Sequence, residues 1–131
     1  MKMTVADVAA RVGISASLAV SGVIHAVLYG RGYRDIPTVG TAFLVQASIF
    51  CALAVVILFG APRWLWYAGS VGAAASLVAF ALSRTVGLAG FSERGWSPAP
   101  YAVISVVAEV LTVVIVAGAV AWDQRRRRLH R

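Results

Sequence analysis

Three polar side chains stand inside runs that are otherwise apolar, and a fourth closes one: His25, Gln46, Glu109 and Arg84. A carboxylic acid and an imidazole in an apolar setting can bind or transfer a proton, hold an ion, or recognise a small ligand. Glu109 is the most informative of them. An ionisable group deep in a hydrocarbon phase costs several kcal/mol, by about the amount that makes it a functional candidate by default. It is expected either ionised and paired with Arg84 or His25, or protonated because desolvation disfavours its charge. Two roles follow: an interhelical clamp that fixes geometry, or a ligand or proton site. For Gln46 alone the plainer reading is a hydrogen bond across helices. For His25 it is a core hydrogen bond, since no second His or Cys stands near it in sequence for a metal. For Arg84 it is anchoring at an interface.

The neighbours of these residues recur at helical spacing. Ser17, Ser21, His25 and Tyr29 follow one another every fourth position, and Tyr101, Ser105, Glu109 and Thr112 form a second stripe. Ser21, Tyr29, Ser105 and Thr112 are therefore expected to support the site. Gly69, Gly72, Ala73 and Ser76 make a small-residue face of the kind that lets helices approach closely. Polar and small stripes belong inside a bundle, because lipid rewards neither hydroxyls nor glycines.

The elements that carry these residues are long and apolar. Of 131 residues, 60% are hydrophobic and 13% charged, and the mean hydropathy is +0.83. Soluble domains hold about 25% charged residues, so the solvent for this surface is lipid. A spanning helix needs about 17–25 mostly apolar residues. Four segments qualify, at 12–30, 39–60, 64–83 and 100–122, followed by a basic tail at 123–131. The expected fold is an all-α, four-transmembrane-helix bundle forming one domain. Residues 1–11 are weakly amphipathic and either lie on the inner surface or extend the first helix. The four tryptophans fall at segment ends, where a bilayer interface selects them.

An even number of spans puts both termini on one side. That side carries Lys2, Arg11, Arg63 and the tail arginines Arg125 to Arg128 and Arg131, against Arg31, Arg34, Arg84 and Arg94 on the other. The positive-inside rule then makes the N and C termini cytoplasmic in a bacterial plasma membrane, with the longer loops outside. The serines and His25 that interrupt the first span, with no small-x-small site after it, argue against a cleaved signal peptide. At a rise of 1.5 Å per residue, His25, Gln46 and Glu109 lie roughly 7, 10 and 14 Å below the outer ends of their helices. The polar set thus gathers in the outer half of the bilayer.

The net charge of +7 is densest at Arg125–Arg131, directly after an apolar span. This reads as an anchor to anionic lipid headgroups and not as nucleic-acid binding, since no aromatic stacking platform accompanies it. Cys51 cannot form an intrachain disulfide alone and reads as a small packing residue. No metal site or cofactor is implied: a bis-histidine haem needs two intramembrane histidines, and His130 is in the tail. No CxxC, HExxH or phosphate-binding glycine loop occurs, and no catalytic residues are assigned.

Small multidrug transporters carry their Glu in the first helix, and small fluoride channels use pore asparagines; this chain has neither. The run Ser83-Arg84-Thr85-Val86-Gly87-Leu88, with Gly22-x-x-His25 and Glu109, resembles a group of small four-span actinobacterial membrane proteins. Their Ser-Arg-Thr-x-Gly-Leu stands at the end of the third helix and is usually followed by proline, where this chain has Ala89. The resemblance supports the constellation and implies no activity. Three functions are therefore carried forward. The first is a polar site open to the outer face that binds a small ligand, ion or proton. The second is an accessory subunit of a larger membrane complex or homo-oligomer, docking through the small-residue face. The third is a holin-like pore.

Overall fold

The computed structural model describes residues 3–131. Lys2, which enters the charge asymmetry, lies outside them. Four helices account for the fold: α1 (Val5–Gly30), α2 (Val39–Leu58), α3 (Trp64–Ser83) and α4 (Tyr101–Leu129), with a 3-10 turn at Tyr33–Asp35. All four are long and apolar enough to cross a membrane. Apolar side chains such as Val23, Ile49, Val71, Val78, Val107 and Val114 face outward along them, as lipid-facing surfaces do.

α3 follows the expected limits, and α2 ends two residues early at Leu58. The other two run longer. α1 begins at Val5 because Thr4 and Asp7 form a capping box: Thr4 Oγ1 accepts from Asp7 N–H at 3.1 Å and Asp7 Oδ2 accepts from Thr4 N–H at 3.1 Å. Residues 5–11 thus extend the first helix. α4 continues without a break past Trp122 to Leu129. Arg is a good helix former, and cations in the last turn favour the helix dipole.

The long loops at 31–38 and 84–100 define one end of the bundle, the loop end. The termini and the tight turn at 59–63 define the other, the terminal end. α1 is the central helix, packed chiefly on α2 and α4, while α3 rests mainly on α4 and only lightly on α2. The apolar core fills the terminal half, with Ile14, Leu18, Phe50, Ile57, Trp66 and Val116. The small-residue face of α3 points into the bundle. A Cβ on Gly69 would stand 2.9 Å from Leu18 Cδ1 of α1, and one on Gly72 would stand 2.9 Å from Phe50 of α2. Cys51 packs its sulfur over Gly22, where a Cβ would lie 2.8 Å away.

Charge closes the terminal end. Arg63, from the turn, pairs with Asp7 of α1 and Asp123 of α4. Arg11 donates to the carbonyls of Ile57, in the last turn of α2, and Ala61, in the turn that follows, at 2.7 and 3.1 Å. The Arg11 and Arg63 guanidiniums both lie over the Trp66 ring, at 5.3 and 5.1 Å from its centroid. Trp64 and Trp66 stand at the start of α3 as expected, but the four tryptophans do not share one exposure. Trp64, Trp96 and Trp122 are more than half exposed, but Trp66 is 2% exposed. Residues two apart on a helix point to nearly opposite faces, so Trp64 and Trp66 cannot share one environment.

At the loop end, α2 starts hard against the 3-10 turn. A Cβ at Gly40 would meet Tyr33 O, Arg34 O and Arg34 Cα at 2.6–2.8 Å, all backbone atoms. Gly40→Ala should therefore displace the Tyr33 turn and destabilise the protein by about 1–2 kcal/mol, the exposed loop yielding part of the strain. Equilibrium unfolding in mixed detergent measures this, and a wild-type midpoint would contradict it. The other loop folds back on α3. Gly87 N–H donates to Leu82 O at 2.7 Å, Glu93 N–H donates to Ser83 O at 2.9 Å, and Leu88 and Phe91 form an isolated bridge. Ala89 has φ 50°, which a proline ring could not adopt.

Candidate functional site

The centre of the loop half is polar. Glu109, 1% exposed, projects from α4 toward the bundle axis. Its Oε1 accepts from Ser21 Oγ of α1 at 2.9 Å, Gln46 Nε2 of α2 at 3.1 Å and Ser76 Oγ of α3 at 2.7 Å. Ser105, one turn earlier on α4, adds a fourth donor at 3.1 Å. Gln46 also donates to Ser76 Oγ at 2.9 Å, so Ser76 relays between the amide and the carboxylate. Every helix of the bundle thus contributes a neutral donor to one carboxylate oxygen.

His25 stands one turn along α1 from Ser21. Its Nδ1 lies 2.8 Å from Ser21 O, and a carbonyl can only accept, so Nδ1 carries the hydrogen. The ring meets Phe43 of α2 edge to face at 4.8 Å, and Phe43 stacks on Tyr33 at 4.9 Å. Above these, Tyr33 Oη donates to Glu93 Oε1 at 2.5 Å. Burial first, and then the Glu93 carboxylate, push the Tyr33 phenol above the ordinary phenol range, which keeps it a donor.

Arg84 completes this roof. It pairs with Glu93 Oε2 at 3.2 Å and donates to Gly95 O at 3.1 Å, to Ser83 Oγ at 2.6 Å and to Ser97 O. Its guanidinium lies 4.0 Å from the Phe80 ring centroid. Between roof and floor is a cavity of about 110 Å3. It is lined by His25, Gln46, Arg84 and Glu109 together, with walls that include Phe43, Phe80, Leu88 and Phe91.

The four residues singled out by sequence therefore line one cavity. Of the two states expected for Glu109, the one paired with Arg84 or His25 is not found among the described residues; Arg84 pairs with Glu93 instead. Arg84 is eight residues beyond Ser76 on α3, about 12 Å higher at 1.5 Å per residue, out of reach of the carboxylate. His25 reaches Glu109 through Ser21.

Of the supporting residues, Ser21 and Ser105 join the carboxylate directly. Thr112 lies one turn deeper and holds Ser17 Oγ at 2.7 Å, tying α4 to α1. Tyr29 does not line the cavity and is half-buried. A four-residue step overshoots a 3.6-residue turn by about 40°, so the stripe from Ser17 has rotated off the interior face by Tyr29.

Ser76, grouped by sequence with the packing face of α3, donates directly to Glu109, and its hydroxyl is the signal that marks it. The sequence alone marks no role for Tyr33, Phe43 or Glu93. Comparison with known protein families, with characterised proteins and with solved structures gives no match.

Proposed function

We propose that this chain is a multi-pass protein of the bacterial plasma membrane, with both termini cytoplasmic, whose bundle holds a binding site for a small ligand, ion or proton on its outer side. The observation that carries this reading is the Glu109 carboxylate, buried at the floor of a cavity and gathered by donors from all four helices. A clamp alone needs no cavity beside it. Pockets between the helices of a bundle, with a few convergent polar groups, are the usual form of small-molecule sites. The inward packing of Gly69 and Gly72 takes away the face that an accessory subunit was expected to dock with, and a holin-like pore gives no reason for the donor shell. The helical Arg125–Arg128 segment beyond Trp122 suits anionic headgroups of the inner leaflet.

Orientation and access can be read together. In a Cys51→Ala background, Ser76→Cys should react with a small charged methanethiosulfonate added outside intact cells. Ala54→Cys, in the apolar core at 5% exposure, should not. Reporter fusions after Arg34 and Glu93 should report outside, and those after Arg63 and Arg131 inside. Labelling of Ser76→Cys only in inverted vesicles, with the reporters reversed, would turn the site to the cytoplasm. No labelling from either side would remove the open cavity on which the proposal rests.

A further inference from the structure

We infer that the cavity takes a small protonated amine with a short apolar chain, its ammonium held between Glu109 and His25. This rests on the proposed binding role and gives it a ligand class. The donors on Glu109 Oε1 are all neutral hydroxyls and an amide, and no cation of the described residues lies within 4.0 Å of the carboxylate. Arg84, the cation that lines the same cavity, is held by Glu93 and by backbone carbonyls at the roof. Such a donor shell suits a carboxylate, and it leaves the counter-charge to come from outside the chain.

Two acceptors at the cavity stay open. All four hydrogen bonds to Glu109 fall on Oε1, and Oε2 receives none among the described residues. Because His25 uses Nδ1–H toward Ser21 O, its Nε2 presents a lone pair and has no partner among the described residues either. Both side chains are more than nine-tenths buried and line the cavity. An anionic and a neutral acceptor facing one space match a group with one charge and several N–H bonds. A primary ammonium has three donors in that form.

Much of the remaining wall is apolar. Phe43, Phe80, Leu88 and Phe91 offer apolar contact to a hydrocarbon chain and ring faces to a cation, but no oxygens. The lining also carries the oxygens of Tyr33, Gln46, Ser76, Ser83, Glu93 and Ser105, but those of Tyr33, Ser76, Ser83, Glu93 and Ser105 are engaged within the protein, which leaves fewer than the about six to eight oxygen ligands that a bare divalent cation wants. Size sets the chain length. An apolar cavity of about 150 Å3 takes a benzene molecule, so a space of about 110 Å3 fits a chain of roughly four carbons.

The test uses the full chain in detergent micelles, with n-butylammonium as the probe and 1-butanol, butyrate, tetramethylammonium and sodium ion as comparisons. Binding is read by calorimetry and by the shift in melting temperature. n-Butylammonium should bind saturably, with Kd in the micromolar to millimolar range that about five non-hydrogen atoms permit. Each comparison should bind at least about tenfold more weakly, as expected when a hydrogen bond to a charged group is lost. Glu109→Gln should lower the n-butylammonium affinity by a similar factor. His25→Phe, which keeps the ring and removes Nε2, should weaken n-butylammonium and leave 1-butanol unchanged. Ala79→Leu, which fills the cavity without touching the donor shell, should abolish binding and carries the test if Glu109→Gln fails to fold. Equal binding of 1-butanol and n-butylammonium, both blocked by Ala79→Leu, would overturn the amine assignment and leave the cavity as a binding site. Glu109-dependent binding of sodium ion, or tetramethylammonium matching n-butylammonium, would also overturn it. Saturation by none of the probes would remove the binding site itself.

Discussion

Replacing Glu109 by alanine should lower the stability of the bundle by about 2–4 kcal/mol in equilibrium unfolding in mixed detergent. The carboxylate accepts from Ser21, Gln46, Ser76 and Ser105, and alanine leaves all four donors without that acceptor. A buried donor left unsatisfied costs about 1–3 kcal/mol in water-soluble proteins. Interhelical hydrogen bonds in membranes average nearer 0.6 kcal/mol, because the unfolded helices find other partners, so the three from Ser21, Gln46 and Ser76 give roughly the lower end of the range. The serines can also turn back on their own helix carbonyls, as Ser17 does toward Ile14 O at 3.0 Å, which limits the loss. Glu109→Gln should cost less than about 1 kcal/mol, because the amide oxygen can accept the same donors and no ion pair is broken. A loss with Gln as large as with Ala would mean that a cation does pair with this carboxylate.

The second large effect is expected at Arg84. Its guanidinium joins α3 to the loop at Glu93, Gly95 and Ser97 and covers Phe80. Arg84→Ala removes those contacts and leaves Glu93 with Tyr33 alone. Breaking a fully buried pair costs about 3–5 kcal/mol. The Arg84 and Glu93 side chains keep 14% and 23% of their exposure, so the expected loss is nearer 2–3 kcal/mol, discounted for that access to water. The loop should also become sensitive to proteolysis between Gly87 and Pro98 while the helices stay folded. The effect should add to that of Glu109→Ala within about 0.5 kcal/mol, because the two residues share no partner. Strong non-additivity would show a coupling that the Arg84–Glu93 pairing does not contain.

These two residues also show what could be read in advance. His25, Gln46 and Glu109 announce themselves because each is a strong polar group in an apolar run, and hydrocarbon forces such groups inward. Their shared depth follows from helix rise and the order of the spans. Ser76 was harder, since a serine beside Gly69, Gly72 and Ala73 serves close packing as well as hydrogen bonding. The partner of Arg84 was not legible at all. It depends on a loop folded by the Glu93–Ser83 backbone bond and the Leu88–Phe91 bridge, and on a tyrosine 60 positions away in sequence. The ends of α1 and α4 were underestimated for a local reason. Hydropathy marks where apolar residues stop, whereas the Thr4–Asp7 cap and an arginine run with good helix propensity carry the helices further.

The central claim is that Glu109 gathers donors from the other helices into one network beside the cavity. Its most direct test is a double-mutant cycle between α2 and α4: wild type, Gln46→Ala, Glu109→Ala and the double variant, unfolded under one set of detergent conditions. Gln46 Nε2 lies 3.1 Å from Glu109 Oε1 and 2.9 Å from Ser76 Oγ, which itself donates to Glu109. The two losses should therefore be non-additive by about 0.5–2 kcal/mol, the double variant being less damaged than the sum of the singles. Simple additivity at this pair would contradict the network and the site built on it.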